Sequence, residues 1–184
     1  MKITAIILLL SLVVPQKIKF VKVNLNDEIT VRLPKEFSPM TLEDQEQRVY
    51  SYRKALALYT SLDRSTEFGA NISYSKFKSE DIQLMKEFYK SNIMNLYTDV
   101  EFLEEDVVNI DGRNYAVFEF TSLVMDIDSG GGGALTPISK YTYIAYTIAN
   151  RNTYLFHLSA PIRQQQQWAP IAQQIVSSIR IKGK

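Results

Sequence analysis

The sequence predicts an α+β domain. Three observations point to it. Runs of alternating apolar and polar residues recur along the chain, short turn-forming clusters separate most of them, and two segments with helical spacing lie mid-chain and at the end. Short connections between strands imply an antiparallel sheet, and the helices must cover its faces. About seven strands can be counted. The 11 Tyr and 9 Phe are the bulky side chains that a large sheet packed by helices uses.

The first element is a leader. "MKITAIILLLSLVVPQ", residues 1–16, has a basic start at Lys2, an apolar run from Ala5 to Val14 interrupted by Ser11, and a helix-ending Pro15. The run is shorter than the roughly 20 apolar residues of a membrane-spanning helix and fits a signal peptide instead. Residues 17–184 then form a single domain, which is long enough for a substantial core. That domain is expected outside the cytoplasm, periplasmic or secreted, with no integral membrane span.

In "IKFVKVNLNDEITVRLP", Val21, Val23 and Leu25 alternate with polar residues, Asn26 and Asp27 supply a turn, and Ile29, Val31 and Leu33 alternate again until Pro34. Thr41 and Asp44 form a helix-start pair, so a short helix or loop is expected there. "KALALYTSL" and "TEFGANISYSKF" read as the next strands. A helix follows, capped by Ser79 and opened by Glu80 and Asp81, with Ile82, Met85, Tyr89, Ile93 and Leu96 along one stripe. Asp111-Gly112 marks a tight hairpin inside "FLEEDVVNIDGRNYAVFEFTSLV". Two further strands surround Asn150-Arg151-Asn152, and "QQQQWAPIAQQIVSSIRI" reads as a closing helix with Pro170 near its first turn.

Composition narrows the function. Lys and Arg total 21 against 20 Asp and Glu, a net charge of +1, so no overall field favours nucleic acid. The chain has no cysteine, which excludes disulfides, thiolate metal sites, a cysteine nucleophile and a lipid anchored through cysteine.

The stretch "DIDSGGGGALTPISKY", residues 126–141, is the one segment that invites a ligand-binding reading. A P-loop needs a lysine after its glycines and a helix, whereas here Lys140 comes late and a strand follows. Asp126 and Asp128 begin like a calcium loop, but Gly130 takes the third ligand position and Pro137 the twelfth, where a glutamate is required. The stretch is expected to be a tip between adjacent strands. His157 is the sole histidine, in a strand on the face opposite Tyr154, Phe156 and Leu158. It reads as packed or surface-facing, not catalytic. Ser122 and Ser159 lack the context of an exposed nucleophile. Glu104, Glu105 and Asp106 are consecutive, so at most alternate ones share a face, and they read as a solvated strand end. Met85 and Met94 beside Phe88 and Tyr89 suit either an adaptable partner surface or a core stripe, and the core is expected. No catalytic, cofactor-binding or metal residue is assigned, and no cofactor is implied.

The pieces "ITVRLPKEF", "YAVFEFTS", "YLFHLSAP" and "WAPIAQQIVSSIRIK" resemble the PsbP-like superfamily, over roughly residues 20–182. That resemblance implies an α/β/α sandwich around a central twisted antiparallel sheet of about six or seven strands flanked by helices. It also implies a binding or assembly accessory and not an enzyme. It transfers no functional residue, because the matching positions mark packing and turns. Glycines 130–133 depart from the compact hairpins of that pattern.

Three functions follow in order. The first is an exported domain that binds another protein, most simply another envelope protein. The second is a carrier of a small apolar ligand or lipid, held between sheet and helix. The third is a hydrolase using His157 with a carboxylate.

Overall fold

The computed structural model describes residues 18–41, 43, 44, 55–127 and 135–183. The segment expected to be a leader, residues 1–16, and the glycines at 130–133 lie outside these residues. Among the described residues, ten strands form two sheets. Strands β1 (Phe20–Asn24) and β2 (Ile29–Pro34) make the first predicted hairpin. The remaining strands are β3 (Ser38–Pro39), β4 (Ala57–Thr60), β5 (Glu67–Tyr74), β6 (Asp99–Ile110), β7 (Arg113–Ile127), β8 (Leu135–Ala149), β9 (Asn152–Pro161) and β10 (Arg180–Ile181). Helix α1 spans Ile82–Leu96 and α2 spans Gln165–Ser177.

The main sheet has seven antiparallel strands in the order β3-β4-β5-β9-β8-β7-β6. The first hairpin does not join it. It pairs with β10 as a three-stranded sheet, β1-β2-β10. The closing segment is therefore not all helix. After α2 ends at Ser177, Arg180 and Ile181 leave as a strand and pair with Thr30 and Ile29. Helical periodicity carries Ile179 into the predicted helix, but Ile179, which is fully buried, lies beyond the helix end at Ser177. Pro170 sits in the second turn of α2, where only one backbone bond is lost.

The two faces of the main sheet carry separate apolar clusters. One unites Tyr115, Tyr141, Phe156 and Leu158 with Ile29, Val31 and Leu33 of the small sheet and Trp168, Ile171 and Ile175 of α2. The other joins Phe118, Phe120 and Tyr146 to Ile82, Met85 and Ile93 of α1. The α/β/α sandwich is thus present, with the small sheet sharing one outer layer with α2.

Local signals explain the connections. Asp111 and Gly112 both have positive φ, 54° and 76°, as the tight hairpin requires. Asn150 and Arg151 do the same at 49° and 62°. Thr41 and Asp44 form the expected helix-start pair, with the Asp44 N–H 3.2 Å from Thr41 Oγ1 and the Thr41 N–H 3.2 Å from Asp44 Oδ2. Ser79 does not cap α1. Ser79–Asp81 form a short 3₁₀ turn, and Asp81 Oδ2 accepts from the Lys78 N–H at 2.9 Å. The stretch 126–141 is shorter as a loop than its composition implies, because β7 runs to Ile127 and β8 begins at Leu135, directly paired. Pro137 is accommodated in β8 beyond Lys140, where β9 has ended at Pro161.

Candidate functional site

The register of β5 against β9 sets Gly69 opposite His157 and Glu67 opposite Ser159, so these four positions share one face of the sheet. The His157 ring occupies the space above Gly69 that a Cβ would fill. Burial lowers the pKa of His157 below its usual 6.5, Glu67 opposes that shift and Lys140 adds to it. A serine, a histidine and a carboxylate are thus brought together, as a hydrolase would need. Ser159 is not hydrogen-bonded to His157 among the described residues, and the nucleophile–base contact is the defining element of such a site. Ser122 Oγ is buried with no hydrogen-bond partner among the described residues, opposite Lys140 in the register of β7 and β8.

The acidic run divides as strand alternation demands. A bulge between Phe102 and Glu104 resets the register, placing Glu104 opposite Glu119 and Glu105 opposite Phe118. Glu105 then faces α1 and holds Lys90, with Nζ 2.7 Å from Oε2. That bond raises the pKa of Lys90. Glu104 is on the other face beside Glu119, which is 8% exposed and accepts a hydrogen bond of 3.1 Å from the Tyr141 hydroxyl. Burial first, and then Glu119, pushes Tyr141 far above the usual tyrosine range. The run is therefore more than a solvated strand end. One carboxylate anchors a helix, and another faces a like charge across the strands. Among the described residues no group of three or more potential metal ligands assembles.

The methionine and aromatic residues of α1 also divide. Met85 is fully buried, and Tyr89 stacks on Tyr146 with ring centroids 3.9 Å apart. Met94 is 57% exposed and Phe88 49%, so the core expectation fails for both. Leu84, which is not among the stripe residues, is 63% exposed one turn before Phe88. Its position between Ile82 and Met85, off the buried stripe, was readable from helical spacing alone. Leu96 lies on the stripe yet is 72% exposed. Phe77 supports Phe88 from behind at 5.5 Å. These outward apolar side chains make the α1 layer the candidate binding surface.

No family model matches the chain, and no curated protein matches it. Solved structures do. Cyanobacterial PsbP (CyanoP) from Synechocystis sp. PCC 6803 superposes with a TM-score of 0.61 at 13% identity, covering 91% of this chain and 95% of that one. The Ran-binding protein Mog1p of Saccharomyces cerevisiae gives 0.55 at 16% identity, covering 90% and 96%. LpqN, involved in cell envelope biogenesis of Mycobacterium tuberculosis, gives 0.53 at 9% identity, covering 91% and 93%. Together with the two-faced antiparallel sheet and its flanking helices, these likenesses show that the chain has the PsbP-like/Mog1 fold.

Proposed function

We propose that this chain is an exported, non-enzymatic accessory domain that binds another protein of the cell envelope. The observation that carries the proposal is the outward face of α1, where Leu84, Phe88 and Met94 leave apolar surface in water although the same helix buries Met85 and Ile93. Methionine and phenylalanine at an exposed helix face adapt readily to a partner. Mog1p is a Ran-binding protein and LpqN is involved in cell envelope biogenesis, which is in keeping with such a role on this fold. The lack of a hydrogen bond between Ser159 and His157 among the described residues favours binding over hydrolysis. Carriage of an apolar ligand is disfavoured because aromatic and aliphatic side chains fill both faces of the main sheet. Among the described residues no helix is long and apolar enough to cross a membrane. Export rests on the composition of residues 1–16.

Native mass spectrometry of the protein drawn from its own cells tests the proposal. The expected spectrum shows the chain shortened by its leader and accompanied by a second protein, which Leu84→Lys releases. A full-length chain travelling alone would sink the proposal.

A further inference from the structure

A second surface lies on the opposite layer. Lys22 and Arg32 are directly paired across β1 and β2, and Arg180 of β10 pairs with Thr30 on the other edge of β2. Ile29, Val31 and Leu33 are buried in the core, so alternation turns Thr30 and Arg32 outward. The outer face of the small sheet and the last turn of α2 enclose an open groove of about 460 Å³ lined by these side chains, with Gln174 and Ser177 on the helix side. No carboxylate lines it. Arg180 is partly engaged, since its Nη1 donates to the carbonyls of Ser177 at 3.0 Å and Ile179 at 2.7 Å, and its Nε is 3.6 Å from Asp111. Among the described residues Lys22 and Arg32 have no ion-pair partner at all.

Like charges set directly opposite one another on a sheet repel. The packing of the small sheet does not need them, because its inward residues supply the core contacts. We propose that this groove binds an extended acidic segment of a partner protein, whose carboxylates compensate Lys22, Arg32 and Arg180. The inference adds a surface to the protein-binding role proposed above and requires only that the ligand be a polypeptide.

Several features favour that occupant. The net charge of the chain is only +1, so the cations act locally and not as a general polyanion field. Arg32 and Thr30, the latter carrying Arg180 beside it, are two residues apart along β2, about 7 Å. Alternate side chains of an extended peptide repeat at that same spacing. Lys22 and Arg32 are exposed on long flexible stems, which suits an open chain better than a small rigid anion. A lipid surface is flat, whereas these cations line a groove.

The test uses a fluorescent peptide of alternating glutamate and serine, titrated with the leader-free protein at low salt and followed by anisotropy. Lys22→Glu/Arg32→Glu should weaken binding at least about tenfold, while Lys76→Glu/Arg163→Glu, with the same charge change at other exposed sites, should change it by less than about threefold. Added salt should weaken the wild type by screening. The proposal is overturned if the control pair loses as much, if the wild type does not bind the peptide, or if inorganic phosphate competes as well per charge. Sedimentation with phosphatidylglycerol vesicles that depends on Lys22 and Arg32, without peptide binding, would assign the groove to lipid and overturn it too. A native partner that survives the double reversal leaves the protein-binding role standing and removes this groove as its seat.

Discussion

Tyr141 and Glu119 show how a single hydroxyl fixes a buried charge. The carboxylate accepts from Tyr141 at 3.1 Å while Glu104 stands opposite it on β6. Tyr141→Phe should cost about 1–3 kcal/mol, the penalty for leaving a buried acceptor unpaired. Glu119→Gln keeps an acceptor oxygen and removes the like-charge pair, so it should be neutral or stabilising in urea unfolding. If both variants lose equal stability, the hydroxyl is not what holds the carboxylate. Gly69 is the complementary case, a residue defined by what lies above it. Gly69→Ala should destabilise by about 1–3 kcal/mol through overpacking against the His157 ring. A His157→Ala background should relieve most of that loss, because the two residues share one space. His157 also carries a pH signature. Burial holds its folded pKa below 6.5, so the unfolded chain binds the proton more readily. Its contribution is therefore intact above pH 6.5 and is lost as pH falls below that value. His157→Gln should flatten this part of the stability profile, and an unchanged profile would show that the ring titrates normally.

Within elements, the same amphipathic logic separates residues that composition treats alike. Met85 and Met94 lie on one helix, yet Met85 is sealed against the sheet and Met94 faces water. Met85→Ala should cost about 2–5 kcal/mol and Met94→Ala less than about 0.5 kcal/mol, both read from thermal or urea unfolding. The hairpins were legible in advance because Asp111-Gly112 and Asn150 satisfy local backbone demands that any context would impose. The ends of α1 and α2 were less legible. Ser79 reads as the cap of α1, but it opens a 3₁₀ turn, and Asp81 is the residue that precedes the helix. The edge strand β6 could be read as a strand, but not as an edge. Its row of acids and its bulge beside Leu103 are the devices that keep such an edge from pairing with another chain.

One shared cluster binds the small sheet and α2 to the main sheet. Ile29, Val31 and Leu33 of the small sheet pack with Phe156 and Leu158 of the main sheet and with α2. Gln164 Oε1, at the start of α2, also accepts from Trp168 Nε1 at 3.1 Å, from Ser65 Oγ at 3.1 Å and from Thr66 Oγ1 at 3.3 Å, tying the helix to the β4–β5 loop. The two sheets should therefore unfold as one unit. Trp168, the sole tryptophan, sits buried beside Phe37, with ring centroids 5.4 Å apart. Its fluorescence transition should coincide with that of far-ultraviolet circular dichroism. An earlier separate phase in either would mean that the small sheet melts independently.

The sequence by itself determined the α+β class, the order of most elements and the turns, because periodicity and turn chemistry act over a few residues. It also carried enough packing pattern in "ITVRLPKEF" and "WAPIAQQIVSSIRIK" for the PsbP-like resemblance that the structural neighbours bear out. Tertiary structure alone decided that the first hairpin leaves the main sheet for β10, that Glu67 stands on the face of His157 and Ser159, and that Lys22, Arg32 and Arg180 converge on one groove. Each of these depends on strand register between segments far apart in the chain. A shift of one residue in register turns every side chain to the opposite face, and no local pattern records that choice.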